Sequence, residues 1–208
     1  MASPRDTRGI LADTEEMICT AELGLADLLG DDPRRRMPGL RNVAVFGRAV
    51  TNVLQNLRSE EPTFDDWYGP QQERMRADPL LKYFYDLRSE ILKEGTLGRV
   101  HTELHVERLD SRDLAPLMRN PPPGAQGFFV GDELGGSGWE VQLPDGSVTK
   151  YYVRLPDEVR IQTRFHFEEP PGQHEGRPIE DTSAQSLARH YVEHLRELVG
   201  EAKRRFAA

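Results

Sequence analysis

Residues 181–206 read DTSAQSLARHYVEHLRELVGEAKRRF, and the placement of this segment decides between one folded unit and two. Leu187, Tyr191, Leu195, Leu198, Ala202 and Phe206 recur at helical spacing, and Asp181 to Ser183 supplies a polar start. A helix with one apolar seam must bury it against other helices. Three candidates lie upstream. Residues 13–29 carry a broad stripe of Met17, Ala21, Leu23, Leu25, Leu28 and Leu29, and residues 40–59 carry Val43, Phe46, Val50, Val53, Leu54 and Leu57. Asp78-Pro79 opens a third helix lined by Leu80, Phe84, Leu87 and Ile91, which Gly95 closes. Residues 34–39, with Arg34, Arg35 and Arg36, read as a solvated loop, and residues 64–70 as a turn or short helix.

Beyond Gly95 the period falls to two. In residues 100–107 the even positions are mainly apolar, while His101, Glu103 and His105 share the other face, expected to be the solvent face of a strand. The two histidines would stand about 13 Å apart on a straight strand, too far to share one ion. Strand-like runs follow at 127–130, 139–143, 148–155 and 159–167, with hairpin chemistry at Pro144-Asp145-Gly146-Ser147. Residues 131–138 read as a long flexible loop, because Asp132 and Glu133 would repel a phosphate and no Lys-Ser/Thr follows the glycines. Residues 169–178 read as a Pro/Gly-rich loop.

The expected fold is therefore α+β: a four-helix bundle with a small antiparallel sheet inserted before the last helix. It makes a single domain over 1–208, with a helical core at 10–95, a β insertion at 98–168 and a completing helix at 181–206. The alternative is a helical domain followed by a separate mixed one. Residues 1–9 are polar and expected to fray.

Composition narrows the function. A net charge of −8 opposes a broad nucleic-acid surface, although a local site for RNA stays open. One cysteine, Cys19, excludes a disulfide framework and a cysteine-based zinc cluster; within the first helix it reads as a buried structural thiol. No apolar run is long enough for a membrane span, and the first residues lack a signal pattern. A cytoplasmic protein with no membrane partner is the expectation.

The segment from Tyr83 to Gly95 resembles the motif-bearing helix of HEPN domains, small helical bundles common in prokaryotic toxin and defence proteins. Their ribonuclease motif is an arginine, a polar residue, three further residues and a histidine. Arg88 fits the first position, Ser89 stands in the second, and Lys93 replaces the histidine. A lysine near pKa 10.4 binds phosphate but does not exchange protons at neutral pH as a histidine near 6.5 does. An ion pair of Arg88 with Asp86, Glu90 or an acid of another helix is the plainer expectation.

A second segment, Arg189-His190-Tyr191-Val192-Glu193-His194, satisfies the same pattern. Its two ends lie about 140° apart around a helix and would flank the apolar seam. The same residues spell His-x-x-Glu-His, an inverted zinc-protease pattern, and histidines at i and i+4 can chelate one ion. That family takes a third ligand well downstream, where only Glu197 and Glu201 offer themselves. No metal and no cofactor is expected on this basis.

The resemblance implies a non-catalytic or degenerate HEPN-like protein acting through protein association, as a homodimer or with a protein partner, in a defence or toxin–antitoxin-like setting. Two alternatives remain open. One is a metal-independent ribonuclease using Arg189, His190 and His194, with Arg88 and Lys93 as a degenerate binding pair. The other is a small-molecule or peptide-binding module built by the β insertion.

Overall fold

A computed structural model describes residues 6–97 and 100–207. Helix α1 (Thr7–Leu29) starts where the Asp6 carboxylate accepts from the Gly9 amide at 2.8 Å. It begins earlier than residue 13 because Ile10 and Leu11 also reach the core. The polar start expected to fray at 1–9 lies partly outside the described residues, and from Thr7 onward it is helical.

Helix α2 (Pro33–Leu54) corrects the loop expected at 34–39. Asp32 caps it, Pro33 takes the first position where no amide is needed, and the arginine triplet is its first turns. Arg36 is anchored there, donating to the carbonyls of Gly30 and Gly135, each at 3.0 Å. α1 and α2 cross closely at paired glycines. A Cβ on Gly39 would lie 2.5 Å from the Gly24 carbonyl oxygen, so the contact requires bare backbone.

A 3₁₀ turn (Gln55–Ser59) leads to α3 (Phe64–Ala77), a full helix where a turn or short helix was expected. Phe64 and Tyr68, stacked at 4.9 Å, are buried and extend the segment's apolar face. α4 (Pro79–Glu94) runs as read, from an Asp78 cap to Gly95 at φ +71°.

Strand β1 (Val100–Arg108) follows, then α5 (Ser111–Arg119), a short helix the sequence reading did not anticipate. The expected start of the β insertion at 98 lies outside the described residues. Strands β2 (Ala125–Val130), β3 (Ser137–Gln142) and β4 (Val148–Tyr152) form a three-stranded antiparallel meander. β5 (Arg160–Phe167) returns to pair with β1, placing His101 opposite His166. β6 (Gln173–His174) and β7 (Arg177–Pro178) make a minimal hairpin. The β segment is thus three small sheets, because α5 and the 121–123 proline run separate β1 from β2. His101, Glu103 and His105 are exposed as expected, and His166 Nε2 stands 2.8 Å from Glu103 Oε2.

α6 (Ala184–Phe206) packs on α1, α2 and α4, and the α+β arrangement of a four-helix bundle with its β segment before the last helix stands. Leu187, Tyr191, Leu195, Leu198 and Phe206 are all buried. Tyr191 stacks on Phe84 with centroids 4.2 Å apart and lies against Gly47, where any Cβ would clash. Arg196 of α6 is paired with Glu15 and Glu22 of α1. No described helix is long and apolar enough to cross a membrane.

The 131–138 loop is not free. Asp132 accepts from the amides of Leu134 and Gly136 at 3.0 and 2.9 Å, from Lys150 at 2.9 Å and from the Tyr152 hydroxyl at 2.7 Å. Burial alone would raise its pKa, but these donors outweigh it and hold the carboxyl below the usual carboxylate range. A carboxylate depressed in the fold stabilises it above its unfolded value of about 3.9, and that contribution fades as pH drops through the lower folded value. The amides of Leu134 and Gly136 should therefore stay protected from hydrogen exchange at neutral pH and lose protection in acid below about pH 4. Asp132→Asn should show the loss already at pH 7, and unchanged protection in that variant would refute the account.

Candidate metal centre

The hairpin β6–β7 turns through Glu175 and Gly176, at φ +50° and +74°. A two-residue loop with both φ positive normally holds Asn, Asp or Gly, since a side chain in the left-handed region is strained. Glutamate at this position is held by contacts on both sides. Its amide donates to Asp78 Oδ2 at 2.7 Å, and its carboxylate Oε1 lies 3.1 Å from His194 Nδ1. The hairpin is thereby fastened between the start of α4 and the middle of α6.

Asp78 serves both elements. Its Oδ1 accepts from the Leu81 amide at 3.0 Å as the α4 cap, while Oδ2 lies 3.0 Å from His174 Nδ1. Burial pushes the Asp78 pKa up, but the bonds from Glu175, Leu81 and His174 override that and keep it low. An ionised Asp78 accepts the Nδ1 proton of His174, which leaves the Nε2 lone pair of that ring as the free ligand. Carboxylate–histidine pairing of this kind orients metal-bound imidazoles and raises their basicity.

His174, Glu175 and His194 each offer a ligand atom, and the three atoms lie within 4.8 Å of one another. His190, one turn earlier on α6, has its ring centroid 6.2 Å from that of His174, while the rings of His174 and His194 stand 5.5 Å apart. Both His174 and His194 are largely buried, at 15% and 14% side-chain exposure, so little reorganisation is needed to bring them to an ion. The residues line a cleft of about 280 Å³, with Glu193 and Glu197 also in its wall. Nitrogen and carboxylate donors at this spacing suit a zinc-type ion, leaving one position open to water or substrate.

The sequence reading weighed only downstream acids as a third ligand, whereas the fold places His174 and Glu175 beside His194. His174, at the end of β6 and 16 residues before His190, is folded back onto the helix. The readable signal was Glu-Gly between short extended pairs; the partnership with Asp78, nearly a hundred residues away, was not.

The other predicted site residues are dispersed. His190 and His194 share the metal cleft, but Arg189 is exposed and lines a different cleft with Arg36, Arg164 and Gln185. The structure does not bring Arg189 and His194 into one site, because five residues carry the helix nearly halfway around. Arg88 is half-buried on α4, Lys93 is exposed in its last turn, and neither lines the metal cleft. Asp86, an expected partner of Arg88, is held by Lys82 at 2.7 Å. Cys19 is exposed rather than buried, because it faces away from the α1 stripe formed by Ile18, Ala21 and Leu28.

Fold and cleft together define a mixed helical-bundle protein with a histidine-rich site between its last helix and a hairpin. Residues 31–126, from the start of α2 into β2, match the family model described as bacteriophage lambda protein ea47. Neither the curated proteins nor the solved structures contain a match. The family match overturns the HEPN resemblance: it covers Arg88 to Lys93, and an arginine at the flank of an amphipathic helix followed by a base five residues on arises readily in an arginine-rich chain. Asp78 falls inside the matched segment, while His174, Glu175 and His194 lie beyond it.

Proposed function

We propose that this chain is a metal-binding protein that takes one divalent transition ion of the zinc type at His174, Glu175 and His194, with His190 beside them. The observation that carries this reading is the convergence of three ligand atoms within 4.8 Å, one on a ring already oriented by buried Asp78. Three protein ligands leave a coordination place open to the cleft, which is the arrangement of catalytic rather than closed structural zinc sites. The chemistry open to such an ion is hydrolysis through an activated water, with Glu193 on the rim as an acceptor for its proton. The single cysteine fits a reducing, cytoplasmic setting.

The test is metal content. Full-length protein dialysed against zinc and then buffer should retain about one equivalent. His174→Ala and His194→Ala should retain none, and Asp78→Asn should weaken binding by about 10- to 100-fold. Wild-type protein that emerges without zinc, or alanine variants that hold it equally, would refute the reading.

A second reading, association with a partner or a second copy, draws on α5. No residue of that helix is buried; Met118 in its last turn is 40% exposed, and Leu109, just before the Asp110 cap, is 42% exposed.

A further inference from the structure

On the other side of α6 from the metal cleft lies a cavity of about 380 Å³ between α2, α3, α4 and α6. Arg48, Arg76 and Lys82 line it, against one acid, Asp86, whose carboxylate is already held by Lys82 at 2.7 Å. Two buried tyrosines, Tyr68 and Tyr191, form part of the wall, only 1% and 4% exposed. Among the described residues no hydrogen bond engages either phenol, in contrast to Tyr152, whose hydroxyl donates to Asp132 at 2.7 Å. Both hydroxyls are therefore open to the cavity without a protein partner, and a ligand seated there can take up their bonds in place of water.

The donors decide the sign of that ligand. Arg48 donates to the Thr51 hydroxyl and lies over the Tyr85 ring, 5.2 Å from its centroid, so its position is set by neutral groups and its charge is uncompensated by them. Guanidinium and phenol groups are matched to an oxyanion, while Met75, Leu81 and Leu195 offer apolar surface to the rest of the molecule. The rings are rigid, since Tyr191 is stacked on Phe84 and Tyr68 on Phe64. We infer that this cavity is a binding site for a small organic oxyanion with a planar apolar body, an aryl phosphate being the simplest representative. The site is separate from the proposed metal centre and does not depend on it.

Titration of the full chain with phenyl phosphate in the presence of EDTA tests this by calorimetry. One saturable site with Kd of about 1 mM or tighter is expected. Arg48→Gln should weaken it about tenfold or more, the usual scale for a lost bond to a charged group. Tyr191→Phe, which keeps the stacking ring, should also weaken it. His194→Ala should bind phenyl phosphate as the wild type does, which separates this site from the metal reading. Uncharged phenol should bind more weakly. Absence of saturable binding, equal affinity for phenol, or equal affinity in Arg48→Gln and Tyr191→Phe would each overturn the inference. Should Arg48→Gln fail to fold, the Tyr191→Phe and phenol comparisons decide.

Discussion

Deletion of residues 181–208 is expected to leave a chain with no cooperative unfolding transition. α6 places Leu187, Tyr191, Leu195 and Leu198, together with Val192, Val199 and Ala202, in contact with the remaining helices, and all are buried. Each large core side chain removed costs about 2–5 kcal/mol. Whole domains are stable by only about 5–15 kcal/mol, so losing four such residues at once, about 8–20 kcal/mol, is as large as the total. Phe84 would also lose its stacked partner, and Glu15 and Glu22 would lose Arg196. Urea unfolding followed by circular dichroism is the measurement. A sharp transition near the full-length midpoint in the truncated chain would mean that α6 belongs to a different folding unit.

The second large effect is thermal. Zinc at about a hundredfold excess over its Kd should add about 2.7 kcal/mol to the folded state. For a chain of this size, with Tm moving about 2–4 °C per kcal/mol, that is a rise of about 5–10 °C. The origin of the rise is specific. The ion would tie the β6–β7 hairpin to α6 at His194 and, through His174 and Asp78, to the head of α4. His174→Ala and His194→Ala should each remove the increment, judged as the difference between scans with and without zinc. That difference matters most for Asp78→Asn, because Asp78 also caps α4 and its loss lowers Tm without any metal. An undiminished rise in the double alanine variant would place the stabilising ion elsewhere.

Local chemistry was legible in the chain itself wherever neighbours in sequence supply it. Asp78-Pro79 and Gly95 bound α4, and the apolar period of residues 187–206 identifies the face by which α6 completes the bundle. The same local logic misread Arg34 to Gly39, because an arginine run between prolines looks solvated until Arg36 meets carbonyls of Gly30 and the distant 134–135 turn. It also supported a family likeness from one helix that the match over residues 31–126 does not sustain. Pairing of β1 with β5 was not legible, since antiparallel partners some sixty residues apart share no local signal.

For the candidate site the division is sharper. The helical repeat sets His190 and His194 on one flank of α6, and any reader of the sequence can place them there. The sequence says nothing about what faces them. His174 and Glu175 arrive only because a two-residue turn with both φ positive bends the hairpin back, and Asp78 holds that turn by the Glu175 amide at 2.7 Å. The ligand set is thus assembled by contacts between residues 78, 174, 175 and 194. Periodicity records which way a side chain points from its own element, whereas a metal centre depends on how separate elements pack, and that is decided by the tertiary fold alone.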